Sequence, residues 1–75
     1  MKARVIAFDR EEYKWVEVAI EEFSITLRRR ENGSLEKSAI ASWTSRRFPS
    51  QKQLSEAFRV GRGFFEAKKR QGSFV

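Results

Sequence analysis

The chain has 75 residues with a formal net charge of +6 and a sequence pI near 10.3, and it contains neither cysteine nor histidine. That length allows one small domain. The missing cysteine excludes disulfides and thiolate metal sites, and the missing histidine removes the commonest general base and metal ligand.

The apolar share of 40% includes seven Phe and two Trp, enough for one core and too much for a disordered chain. The run Val5 to Phe8 is too short for a signal-peptide core, and no stretch approaches a membrane span. The expectation is a cytoplasmic protein with no membrane partner.

Charge is unevenly placed. Residues 1–8 carry +2. Residues 9–22 carry −4, from Asp9, Glu11, Glu12, Glu17, Glu21 and Glu22 against Arg10 and Lys14. Residues 23–75 carry +8, from twelve Lys/Arg against four Glu. A one-sided basic field is the footprint of a polyanion binder.

In chain order, residues 3–8 (ARVIAF) read as a strand, because they are short, partly β-branched and bounded by charges. Residues 9–14 are turn-like. Residues 14–29 carry two periods. Val16, Val18 and Ile20 alternate, as do Phe23, Ile25 and Leu27, while Tyr13, Val16, Ile20, Phe23 and Leu27 also fit a helical stripe. The β-branched and aromatic composition favours two strands with a turn or bulge at Glu21–Glu22.

Asn32-Gly33 predicts a type I′ hairpin between residues 23–30 and a strand beginning near Leu35. Residues 34–43 stay open between strand and helix, and residues 44–50 read as a loop. Trp15, Trp43 and Tyr13 are expected in the core, with base stacking as the alternative should they be exposed.

The stretch 48–72 (FPSQKQLSEAFRVGRGFFEAKKRQG) carries the functional question. Pro49 pushes Phe48 out of the α region, and Ser50 is an N-cap. Leu54, Ala57 and Phe58 share a helical face. Gly61 and Gly63 would cost a continuous helix about 2 kcal/mol relative to Ala, which predicts a break. A second short helix follows, with Lys68, Lys69 and Arg70 in its last turn and Gly72 closing it. The expectation is a helix-turn-helix, with Ser55 at the crossing, Val60 plugging the core and Phe64 or Phe65 anchoring the second helix. One continuous packing helix is the alternative.

Pro49, Ser50, Leu54, Phe58, Val60 and Arg62, with Ser55 for the usual Ala, resemble the helix-turn-helix of GntR-type winged-helix repressors over about a quarter of the chain. Arg59, Gly61, Phe64 and Lys69 depart from that pattern. The resemblance implies a recognition helix beginning at Arg62-Gly63, with Arg62, Glu66 and Lys69 as candidates for base or phosphate contacts.

Other constellations carry less. Arg62-Gly63-Phe64 begins like an RNA-recognition strand, but Phe65 and Glu66 break that pattern. The carboxylates show no spacing for a two-metal nuclease, and no phosphate-loop spacing of glycines exists.

The expected fold is therefore α+β: a small N-terminal antiparallel sheet packed on a helical C-terminal half with a helix-turn-helix-like unit. The expected function is non-enzymatic binding of double-stranded DNA, as a small transcriptional regulator or recombination accessory factor, with no cofactor. Candidate contact residues are Arg59, Arg62, Lys68, Lys69 and Arg70, with Arg28, Arg29 and Arg30 flanking as a wing-like hairpin tip. A homodimer or another protein partner would supply the surface that one motif lacks. The alternatives are a protein-interaction module and an RNA or single-strand binder using an aromatic sheet.

Overall fold

The computed structural model describes residues 2–44 and 47–74. Four strands follow one another, β1 (Ala3–Phe8), β2 (Trp15–Ile20), β3 (Phe23–Arg29) and β4 (Leu35–Ser42), and one helix, α1 (Gln51–Arg70), ends the chain. The strands form an antiparallel sheet in the order β1-β2-β3-β4. The fold class is α+β. Of the predicted loop 44–50, Ser45 and Arg46 lie outside the described residues.

The register decides which face is buried. Val16, Val18 and Ile20 on β2 stand opposite Leu27, Ile25 and Phe23 on β3, and these six are the centre of the core. Ala57, Gly61 and Phe65 are the buried residues of α1, spaced by four along one helical row. Strand composition therefore wins over the helical stripe in residues 14–29, because alternation buries every large apolar residue from Val16 to Leu27.

The turns carry the special backbone. Asp9 organises the β1–β2 loop: its carboxylate accepts from the backbone N–H of Glu11 (3.1 Å), Glu12 (3.3 Å) and Lys14 (3.1 Å). Glu21, with φ 51°, makes the two-residue turn between β2 and β3.

Asn32-Gly33 does lie in a hairpin, but the turn is not type I′. The Gly33 N–H donates to Arg30 O at 2.9 Å, and of this pair only Gly33 has positive φ (90°). The Asn32 side chain instead accepts from Ser34 N at 3.0 Å. This is a longer loop built on a turn followed by a left-handed glycine.

The C-terminal half corrects the expected helix-turn-helix. Residues 51–70 form a single helix, and no turn occurs at Gly61 or Gly63. At Gly61 the helix lies close against the sheet. A Cβ there would stand 2.7 Å from Leu27 Cδ1 and 3.3 Å from Leu35 Cδ1. The glycine that reads as a breaker is a contact point whose packing outweighs its propensity cost.

The ends of α1 match their sequence signals. Ser50 Oγ accepts from Gln53 N (3.1 Å), while Gln53 Oε1 accepts from Ser50 N (2.7 Å), a reciprocal capping box. At the other end Gly72 (φ 77°) donates to Lys69 O and Ser73 N donates to Lys68 O, both at 3.0 Å, a Schellman closure.

Candidate nucleic-acid interface

The antiparallel topology gathers the β1–β2 loop, the β3–β4 hairpin and the C-terminal end of α1 at one end of the sheet. The Arg29 N–H donates to Lys14 O at 2.7 Å, which draws Lys14 beside the Arg28-Arg29-Arg30 run. Two adjoining concavities result. One, of about 310 Å³, lies between the hairpin and α1 and includes Arg29, Arg62, Lys69 and Leu35 in its walls. The other, of about 550 Å³, is formed by Lys14, Arg28, Arg29, Arg30 and Glu31. Arg29 and Glu31 belong to both. Together the walls hold six cationic side chains (Lys14, Arg28, Arg29, Arg30, Arg62, Lys69) and two acidic ones (Glu31, Glu66).

The six cations are held differently. Arg29 is half buried: its Nε donates to Tyr13 O at 2.9 Å, and its guanidinium lies 4.1 Å from the Phe74 ring centroid. It ties the β1–β2 loop and the C-terminal segment to the sheet, so its charge is fixed in place. Arg28 (3.0 Å) and Arg30 (2.8 Å) share Glu36, whose carboxyl is held below its ordinary range mainly by the Arg30 hydrogen bond. Lys14 meets Glu12 at 3.0 Å. Arg62 and Lys69 are exposed on α1 and make no ion pair with the described acidic residues. The neighbouring Glu66 is engaged by Arg70 at 3.7 Å.

Five of the eight expected contact residues thus line one trough: Arg28, Arg29, Arg30, Arg62 and Lys69. The other three lie outside it. Arg59 is paired with Glu56, its Nε at 2.8 Å. Lys68 lies over Phe8 and Phe64, 5.5 and 5.7 Å from the ring centroids. Arg70 reaches back to Glu66. Lys14 is the addition that sequence reading missed, since only strand pairing brings it to residue 29.

The expected placement of the tryptophans is corrected. Trp15 is 38% exposed and Trp43 61% exposed, both off the core, whereas Tyr13 packs against it and stacks on Phe8 and Phe74. The acidic residues are dispersed over the β1–β2 loop, the sheet, the β2–β3 turn, the β3–β4 hairpin and α1. Among the described residues no group of three or more acidic side chains is placed to hold a metal ion. Among those residues, too, no helix is long and apolar enough to cross a membrane.

The residues that resemble the winged-helix repressor pattern, Ser50 aside as N-cap and Pro49 before it, lie along the single helix α1. Compared with known proteins, the chain matches no family model, no curated protein and no solved structure.

Proposed function

We propose that this protein binds double-stranded DNA without catalysing a reaction on it, through the trough where the β3–β4 hairpin meets the C-terminal half of α1. One observation carries the reading: six cationic side chains converge on two adjoining concavities, and two of them, Arg62 and Lys69, make no ion pair with the described acidic residues. Arg62 and Lys69, exposed and without an ion pair among the described acidic residues, are the two foremost contacts to phosphate. Arg28, Arg30 and Lys14 extend the contact around the hairpin, their carboxylate partners being exchangeable for phosphate. Arg29 holds the trough's shape. A duplex fits this site better than a single strand, because the aromatic residues in its walls, Phe65 and Phe74, are packed into the core or under Arg29 and offer no stacking platform.

The test is a titration against random-sequence duplex at several salt concentrations. Log affinity should fall linearly with log salt. Arg62→Ala and Lys69→Ala should each reduce the slope by about 0.9 while leaving the fold intact, since both side chains are exposed. Absence of duplex binding at low salt, or an unchanged slope in the double variant, would overturn the assignment. Tighter binding to a single strand than to the duplex would do the same.

A further inference from the structure

Trp15 is 38% exposed and stands at the basic end of the molecule. Strand pairing sets it there. It opens β2 directly after Lys14, and its register partner on β3 is Arg28. Val16 and Leu27 point into the core, so Trp15 and Arg28 both project from the outer face of the sheet. Cross-strand partners hold their Cβ atoms about 5 Å apart, so the indole and the guanidinium are neighbours. With Glu17, Thr26 and Ser38 they line a shallow groove of about 380 Å³. Arg28 also lines the concavity formed with Lys14, Arg29, Arg30 and Glu31. Groove and concavity therefore meet at one side chain.

We propose, resting on the DNA reading above, that this groove takes an unpaired nucleobase from a strand that runs on beyond the duplex in the trough. The ligand is then a duplex with a single-stranded overhang. Three features select a base. The indole offers an apolar ring face at the surface, on which any base can stack. Beside it stand a guanidinium, two hydroxyls and a carboxylate, which supply donors and acceptors for a ring edge. The adjoining cations, Lys14 and Arg28 to Arg30, are placed for the phosphates to which such a base is joined. An aliphatic ligand would use neither the ring face nor the polar edge.

The groups around the ring are steadied. Glu36 meets Arg28 Nε at 3.0 Å, while the Arg28 side chain stays 64% exposed. The guanidinium is anchored beside the indole and still open to a ligand. The Glu17 carboxylate accepts from the buried Ser24 hydroxyl, which holds it against the sheet. Exposure alone does not mark the site. Trp43 is 61% exposed, but it follows β4 at the opposite end of the sheet, its N–H donating to Glu22 O at 3.1 Å. It lines neither the groove nor either basic concavity, so it serves as an internal control.

The chain carries two tryptophans, so Trp43→Phe leaves Trp15 as the single reporter and Trp15→Phe leaves Trp43. Duplexes of one length are compared with blunt ends, a 5′ overhang or a 3′ overhang. One overhang should bind about fivefold or more tighter than the blunt duplex. It should quench Trp15 emission and leave Trp43 emission unchanged. Trp15→Leu should bring overhanging and blunt duplexes to the same affinity. Equal affinity for all three duplexes, with a steep salt slope and no quenching of Trp15, would overturn the base site and leave the DNA reading standing. No binding of any duplex at low salt would overturn both. An overhang preference that survives in Trp15→Leu would place the unpaired strand elsewhere and overturn the base site. Quenching of Trp15 by adenosine monophosphate at the same concentrations as the overhanging duplex would assign the groove to a free nucleotide and overturn it equally.

Discussion

The two faces of the sheet are built from the same two central strands and have opposite chemistry. On β2 and β3 the inward residues are Val16, Val18, Ile20, Phe23, Ile25 and Leu27, all buried, and the helix lies on them. The residues between them, Trp15, Glu17, Ala19, Ser24, Thr26 and Arg28, face the other way. One face is large and apolar and holds the fold together by area removed from water. The other is built of small and charged residues with Trp15 at its β2 end; Ala19 and Ser24 at its centre are buried, while Trp15 and Arg28 are exposed. A two-layer domain of this size spends nearly all its hydrophobic residues on one layer contact, so substitutions on the two faces should differ sharply.

The largest effect is expected at adjacent positions on β3. Ile25 is fully buried, and Ile25→Ala should cost about 2–5 kcal/mol. For 75 residues at roughly 0.05–0.15 kcal/mol each, that is a large share of the stability, so the midpoint of urea unfolding followed by circular dichroism should fall steeply. Thr26→Ala, one residue on and facing outward, should stay within about 1 kcal/mol in urea titration. Equal losses at the two positions would mean that the outer face is as buried as the inner one.

Next in size is a contrast within α1. Gly61 faces the sheet, and Gly63 has nothing within 4 Å of where a Cβ would stand. Gly61→Val should destabilise by about 1–3 kcal/mol through overpacking against Leu27, which is fully buried and has no free space to swing into. Gly63→Ala should stabilise by up to about 1 kcal/mol from helix propensity alone. If Gly61→Val were as benign as Gly63→Ala, the helix would not sit on the sheet at that point.

That pair of glycines also shows what the sequence could and could not tell. Both read as helix breakers, and a break between two helices was the natural expectation. Propensity counts the loss of a side chain as a cost and has no term for the close approach that loss permits, so the motif could not be separated from a single packed helix. Signals that act locally were readable: the first strand, the alternation from Val16 to Leu27, the Ser50 cap and the Gly72 closure. The outward tryptophans were half readable. If Val16, Val18 and Ile20 point inward, Trp15 must point outward, yet its bulk argued for the core. The turn at Asn32-Gly33 was placed correctly and typed wrongly, because the Asn32 side chain bonds its own loop. The basic surplus was plain from composition, but its focusing was not. Lys14 joins residues 28–30 by strand pairing, and Arg62 and Lys69 face them across the helix packing.

The smallest expected effect is on pH dependence, and it comes from carboxylates in the β1–β2 loop, on β4 and on α1, away from the buried face. The Asp9 carboxyl is held below its ordinary value of 3.8, chiefly by the Lys14 N–H and further by those of Glu12 and Glu11. Glu36 and Glu56 lie below 4.5, lowered chiefly by hydrogen bonds from Arg30 and Arg59 respectively. A carboxyl with a depressed folded-state pKa contributes stability that is fully present above its unfolded value and is lost as pH falls through the folded one. The melting temperature should therefore be level from neutral pH down to the ordinary carboxylate range and decline below it. These groups are solvent-exposed, so the decline should be shallow. Asp9→Asn keeps one acceptor oxygen for the loop and removes the titration. It should lower the melting temperature at neutral pH and make the acid decline gentler than in the wild type. An acid decline as steep in Asp9→Asn as in the wild type would remove Asp9 from the group that senses acid. The salt bridges at Glu36 and Glu56 would then be left to carry the dependence, with Arg30→Gln as the variant to measure next.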